Sequence, residues 1–231
     1  MKILKTGAVL VKNAFRRLRY KKIYNLFKNY TMVPQDYYIT NLVLAEQVKK
    51  IKGCVVECGV WRGGMIAGVA RTLGPSRNYF LFDSFEGLPP AKEIDGPAAL
   101  EWQRDKNSPL FHNNCAAEAY YAKQAMNKAG ITNSFLIQGW FSETLTKFEP
   151  PEPIALLRLD GDWYESTKTC LEALFQKVAP GGLIIIDDYY TWDGCSKATH
   201  EYLSKMSALE RIESKNGVCF LRKKSLNENS L

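Results

Sequence analysis

Two apolar runs in this 231-residue chain end in clustered carboxylates: Leu157-Arg158-Leu159-Asp160-Gly161-Asp162 and Ile184-Ile185-Ile186-Asp187-Asp188. Read as adjacent parallel strands, they bring their acids into one crevice at the strands' carboxyl ends, where open α/β sheets bind ligands. Like charges placed that close raise one another's pKa and destabilise the ionised set. A hard, oxygen-liking cation such as Mg2+ resolves the repulsion. With two histidines in the chain, His112 and His200, an imidazole-rich zinc site is disfavoured. The structural alternative is that some of these acids, Asp188 among them, only cap the helices that follow.

A second constellation, Val55-Val56-Glu57-Cys58-Gly59-Val60-Trp61-Arg62-Gly63-Gly64, closes one apolar run and opens a helical pattern. Its glycines allow close approach of backbone to a ligand, and Glu57 can accept a hydrogen bond from a ligand ammonium or hydroxyl. The glycines are spaced G-x-x-x-G-G rather than G-x-G-x-x-G, which disfavours a nicotinamide cofactor. Asp83 ends the run Tyr79-Phe80-Leu81-Phe82, 26 residues after Glu57. An acid at the tip of a second parallel strand is placed to take both hydroxyls of a ribose, although alone it could cap the next segment. Together the two features point to a cofactor with a free ribose.

These residues need a scaffold, and the rest of the chain supplies its pattern. Short apolar runs ended by an acid or glycine alternate with amphipathic helical segments, the signature of βαβ units. The spacing predicts helices over 39–50, 64–73, 115–129, 165–178 and 193–206, and strands over 53–58, 78–83, 133–138, 154–160 and 182–187. A terminal strand pair, 209–214 and 217–223, turns through Lys215-Asn216-Gly217, since Asn-Gly favours positive φ. The expected fold is α/β and Rossmann-like: a mostly parallel seven-stranded sheet with helices on both faces and a C-terminal antiparallel hairpin, the plan of one large group of methyltransferases. Residues 85–113, rich in Gly, Pro, Asn and aromatics, read as an irregular lid that excludes water from the site. Residues 225–231 read as a flexible tail.

A length of 231 residues and 46% apolar content suit one such domain, 31–224, with short extensions. The formal charge of +7 is concentrated: residues 1–30 hold nine Lys/Arg and no acid. The body is therefore slightly acidic, and nucleic-acid binding by the fold is disfavoured. Within the arm, Leu4, Val11, Phe15, Leu18 and Leu26 share a helical face. That stripe either packs on the domain or on a second subunit, or serves an anionic membrane surface or acidic substrate. The six cysteines form no C-x-x-C pair and read as buried reduced thiols. With a poor signal-peptide pattern and no run near a membrane span, the expected location is cytoplasmic, with membrane-peripheral contact through residues 1–30.

The runs VVECGVWRGG, FDSFEGLP, GWFSETL, LRLDGDWYEST and GGLIIIDDY, in this order, resemble the macrocin O-methyltransferase family, which includes the mycinamicin and novobiocin sugar methyltransferases. The likeness covers about residues 30–205 and departs in 90–113 and 1–29, where acceptor identity would be decided. The resemblance implies an S-adenosylmethionine-dependent, Mg2+-dependent O-methyltransferase acting on a sugar or glycosylated acceptor by in-line displacement. It implies that Asp160, Asp187 and Asp188 ligate Mg2+ and that Asp162 is the general base. It further implies that Glu57, Gly59, Gly63, Gly64, Asp83, Ser84 and Asp160 hold the cofactor. Gly139, Trp140 and Phe141 would help enclose its adenine, and the Thr31-Met32 segment would fold over the cofactor. The residues themselves leave open a metal-dependent glycosyltransferase using Asp160-Gly161-Asp162, and a non-catalytic adenosyl-binding or membrane-associated protein.

Overall fold

The computed structural model describes the backbone of residues 2–225 and the side chains of residues 14–225. Seven strands form one sheet: β1 (Cys54–Cys58), β2 (Tyr79–Asp83), β3 (Ser134–Gln138), β4 (Ile154–Leu159), β5 (Val178–Ile186), β6 (Ile212–Lys215) and β7 (Val218–Arg222). Their order is β3-β2-β1-β4-β5-β7-β6. The first five are parallel, and β7 runs antiparallel to β5 and to β6. From β1 the chain builds outward through β2 and β3, then returns to add β4 on the other side. The crevice between β1 and β4 is thus the topological switch point where such sheets bind ligands.

The central strands are apolar on both faces because helices cover both. Val55, Leu81, Leu156 and Ile185 point into one core, shared with α2 (Gln35–Gln47), α3 (Gly64–Leu73) and α5 (Ala119–Lys128). Their neighbours Val56, Phe82, Leu157 and Ile186 point into the other, shared with α7 (Tyr164–Leu174) and α8 (Asp193–Lys205). This two-sided burial is what an uninterrupted apolar strand requires. The hairpin turns as expected, with Asn216 at φ 47° and Gly217 at φ 79°. All six cysteines are free, and five are buried.

Residues 84–112 are more regular than expected. A 3-10 turn (Glu93–Asp95) leads into α4 (Pro97–Arg104). Gly96-Pro97, which suggests a loop, is a helix start: proline at the first turn loses no hydrogen bond and its φ is already helical. A further short helix, α6 (Phe141–Thr144), follows β3.

The N-terminal helix α1 (Lys2–Phe27) corrects the packing expected of its stripe. Tyr20, Ile23 and Phe27 are the residues buried in the core, and Tyr24 meets Tyr38 edge to face at 5.3 Å. Phe15, Leu18 and Leu26 face away, at 69%, 57% and 36% exposure; the side chains of Leu4 and Val11 lie outside the described residues. Two apolar stripes run along this helix, and the surface offered by α2 and α3 selects the aromatic one. The bridges Arg17–Asp36 (3.4 Å) and Arg19–Glu46 (3.9 Å) are exposed and add little. Deleting residues 1–28 is expected to cost far more. Burial of each large apolar side chain contributes about 1.5–3 kcal/mol, so the truncated protein should melt many degrees lower in a thermal scan, and an unchanged Tm would contradict this packing.

Candidate active site

Strand register places the acids. Glu57 on β1 stands opposite Arg158 on β4, and Leu159 stands opposite Ile186 on β5, so Asp160 and Asp187 emerge side by side. Arg158 is the hub, at 2% exposure. Its Nη1 lies 2.8 Å from Glu57 Oε1 and 2.6 Å from Asp160 Oδ2, and its Nη2 lies 2.6 Å from Asp187 Oδ1. Its Nε donates to Asn41 Oδ1 at 3.3 Å. A buried guanidinium is tolerable only with such partners.

One carboxylate oxygen each from Asp160, Asp187 and Asp188 lies within 4.8 Å of the others. Asp162 is held apart from this trio. It adopts φ 57°, a left-handed conformation that costs a non-glycine residue about 1–3 kcal/mol and persists only when neighbours enforce it. Here its backbone N–H donates to Asp188 Oδ2 at 3.0 Å, while Trp192 Nε1 donates to its Oδ1 at 2.9 Å. Oδ2 of Asp162 is left for another partner.

Three carboxylates, Glu57, Asp160 and Asp187, share Arg158, with Asp162 and Asp188 beside them in the cavity, and burial is the first cause of the raised proton affinities in this set. Burial pushes Glu57 up to about 8 against the pull of Arg158. Burial and then the Asp160 charge push Asp162 up to about 8. Burial takes Asp187 to about 6, although Arg158 opposes it. Asp188 is raised well above the ordinary carboxylate range by burial and by the Asp162 charge. An all-oxygen donor set that converges, with a single arginine against its several carboxylates, fits a divalent cation.

The same shifts predict a pH signature. An acid whose folded pKa exceeds its unfolded value of about 4 contributes stability that is complete below the unfolded value. That contribution is lost as pH rises through about 6 for Asp187 and about 8 for Glu57 and Asp162. Cation binding requires the deprotonated set and stabilises the folded state. The rise in Tm produced by Mg2+ or Mn2+ is therefore expected to grow from about pH 6 to about pH 8.5, as these groups lose their protons. A rise that shrinks over this interval in scanning fluorimetry would contradict the assignment.

Across the crevice, Gly59 sits at φ 88°, and a Cβ there would lie 1.7 Å from the carbonyl oxygen of Asp160. Glycine is therefore what lets the β1 loop press against the end of β4. Glu57 Oε2 is buried with no hydrogen-bond partner, an orphan acceptor awaiting a donor. Asp83 is already committed. Its Oδ2 accepts the N–H groups of Val60 and Trp61 at 2.7 Å each, and its Oδ1 accepts that of Phe85 at 2.7 Å. Of about four lone-pair directions on a carboxylate, three are thus taken. One direction is left open beside this clamp on the glycine loop, fewer than the two that a bidentate grip on a ribose would use.

Twelve of the fourteen residues expected from sequence line one cavity of about 740 Å3: Met32, Glu57, Gly59, Asp83, Ser84, Gly139, Trp140, Phe141, Asp160, Asp162, Asp187 and Asp188. Gly63 and Gly64 do not line it, and both stand where backbone packs closely. A Cβ on Gly63 would lie 2.8 Å from Ala122 Cα of α5, and one on Gly64 2.5 Å from the Tyr30 carbonyl. The segment after β2 borders the cavity through Gly87, Leu88, Pro89 and Lys92 and is pinned there: Asp95 Oδ1 accepts the Tyr164 N–H at 2.7 Å, and Trp163 Nε1 donates to the Pro89 carbonyl at 2.9 Å. Trp102 of α4 packs on Trp163 and Trp192 at 6.1 and 6.0 Å. Sequence reasoning assigned no role to Arg158 or Trp192. A lone arginine inside an apolar central strand signals buried acidic partners, whereas nothing in the sequence marks Trp192.

A sheet of this order, with an acidic glycine loop after β1, an acid after β2 and paired acids after β4 and β5, defines a class I methyltransferase fold. The solved structure of the O-methyltransferase NovP superposes with a TM-score of 0.70 at 27% identity, covering 85% of this chain and 83% of that one. The calicheamicin methyltransferase CalS11 shares the fold at a TM-score of 0.65 and 21% identity, over 91% of this chain and 92% of that one. The macrocin-O-methyltransferase (TylF) family profile matches residues 27–223, and this chain belongs to that family.

Among its relatives, the Streptomyces olivaceus 8-demethyl-8-(2,3-dimethoxy-alpha-L-rhamnosyl)-tetracenomycin-C 4'-O-methyltransferase is 34% identical over 78% of this chain and 68% of its own length. The Streptomyces niveus demethyldecarbamoylnovobiocin O-methyltransferase is 34% identical over 70% of this chain and 62% of its own. The Micromonospora griseorubida mycinamicin III 3''-O-methyltransferase is 29% identical over 70% and 65%. The chain thus spans about two thirds of the length of these relatives.

Proposed function

We propose that this protein transfers the methyl group of S-adenosylmethionine to a hydroxyl of a sugar or glycosylated acceptor, with a divalent cation, Mg2+ in the first instance, held by Asp160, Asp187 and Asp188. The observation that carries the reading is the convergence of those three oxygens within 4.8 Å in the same cavity as the Glu57 loop, with Asp162 held separately. The three relatives are each named an O-methyltransferase, which supports methyl transfer to oxygen.

When bound, the sulfonium offers its methyl for in-line displacement, and the cation acts as Lewis acid and template for the acceptor hydroxyls. The protein's own groups then have distinct tasks. Glu57 Oε2 takes a donor from the cofactor, and Asp83 takes one ribose hydroxyl while holding the loop. Trp140 and Phe141 enclose the adenine. Asp162 Oδ2 accepts the proton of the acceptor hydroxyl, its Oδ1 being engaged by Trp192. The pinned lid keeps water from the transfer.

The test is incubation with methyl-deuterated S-adenosylmethionine and a panel of nucleotide sugars and glycosides, with Mg2+ or with EDTA, read by mass spectrometry. Label on a sugar only in the Mg2+ arm is expected; label confined to a phenolic or catechol control, or cleavage of a nucleotide sugar without methylation, would overturn the reading. The cofactor assignment has its own check. Asp83→Ala removes a charge-assisted acceptor worth about 1.5–3 kcal/mol, so calorimetric affinity for S-adenosylhomocysteine should fall on the order of 10- to 100-fold. Unchanged affinity would remove Asp83 from the cofactor site.

A further inference from the structure

We propose that α1 is a docking helix that seats the protein on an anionic lipid bilayer, using the face turned away from the core. At about 100° per residue, Phe15, Leu18, Lys22 and Leu26 share one side of the helix, while Tyr20, Ile23 and Phe27 occupy another. The second set is buried against α2 and α3, whereas Phe15 and Leu18 are the more exposed, at 69% and 57%. The docked face explains why the helix is present but not why its opposite side carries large apolar groups.

Charge decides what covers them. Residues 1–30 contain nine Lys/Arg and no acidic residue. Arg17 and Arg19 lean on Asp36 and Glu46 of α2, whereas Lys21, Lys22 and Lys28 make no ion pair among the described residues. A second copy meeting the same face would bring like-charged lysines into an apolar contact, which costs energy on both sides. An anionic headgroup layer takes both features at once: the apolar side chains reach the acyl boundary and the lysines lie among the phosphates. Among the described residues no helix is long and apolar enough to cross a membrane, so the contact is peripheral. Residues 30–34, next in the chain, form part of the cavity wall, and docking through α1 therefore brings the cavity close to the bilayer.

The inference stands apart from the identity of the acceptor and is tested without it. Full-length protein would be co-sedimented with vesicles of phosphatidylcholine alone or mixed with phosphatidylglycerol, at low and high salt. Two variants test the two features, Phe15→Ser with Leu18→Ser, and Lys21→Gln with Lys22→Gln; none of these residues touches the cavity. Wild-type protein should partition to the anionic vesicles at low salt only. The lysine variant should lose about 30-fold in partition coefficient, at about tenfold per 1.4 kcal/mol and about 1 kcal/mol per basic residue. The apolar variant should lose on the order of tenfold or more. Both should keep the wild-type Tm. Absence of partition to anionic vesicles, or partition unchanged in both variants, would overturn the proposal. So would light scattering that shows a dimer turned monomeric by the Phe15 and Leu18 substitutions without vesicle binding, an outcome that would give the face to a second copy.

Discussion

Asp187→Asn protein is expected to fold, to bind S-adenosylhomocysteine within a few-fold of wild type, and to lose methyl transfer by at least about a thousandfold. Lewis-acid stabilisation of a developing charge contributes several kcal/mol, and Asp187 supplies one of three converging oxygens. Asparagine keeps the side chain's volume and one neutral oxygen for Arg158 Nη2, now 2.6 Å from Asp187 Oδ1. Alanine would confound the result, because stripping a partner from a buried arginine destabilises by about 3–5 kcal/mol. The distinguishing readout is the Mg2+-dependent rise in Tm, which should vanish while the S-adenosylhomocysteine-dependent rise persists. Wild-type turnover at saturating Mg2+ would dismiss the cation site.

The second large effect belongs to Asp162. Asp162→Asn should cut kcat by about 10²–10⁴, the usual range for loss of a general base, with KM, cofactor affinity and the Mg2+-dependent rise in Tm retained. These are retained because the backbone N–H of residue 162 still donates to Asp188 and the amide oxygen can still accept from Trp192. Trp192→Phe is the companion experiment. It removes the donor at Oδ1 but leaves the carboxylate, so its loss in kcat should be smaller, about tenfold, consistent with one hydrogen bond to a charged group. A fully active Asp162→Asn protein would reduce this residue to a turn former.

Much of the scaffold is legible in the chain because its signals are local. Apolar runs that stop at an acid or a glycine placed the first four strands to within a residue. The helix 64–73 was read to the residue because the glycine loop before it and Gly74 after it mark both ends. Asn216-Gly217 announces its hairpin through backbone preference alone. The acidic set was readable for a further reason: once two runs are taken as neighbouring parallel strands, topology sends their terminal acids into one crevice.

What the sequence could not determine depends on residues far apart in the chain. Arg158 meets Glu57 across 101 residues, and only the adjacency of β1 and β4 makes them partners. Trp192 reaches Asp162 because α8 follows β5 on the same side of the sheet as α7, a placement no local pattern encodes. Asp83 clamps the glycine loop because backbone amides of that loop turn toward it after folding. The face of α1 is the clearest case. Helical periodicity shows which residues share a side, and this helix has two apolar sides. Which one is buried was decided by the complementary surface of α2 and α3, because burial free energy comes from the partner surface that excludes water as much as from the residues themselves.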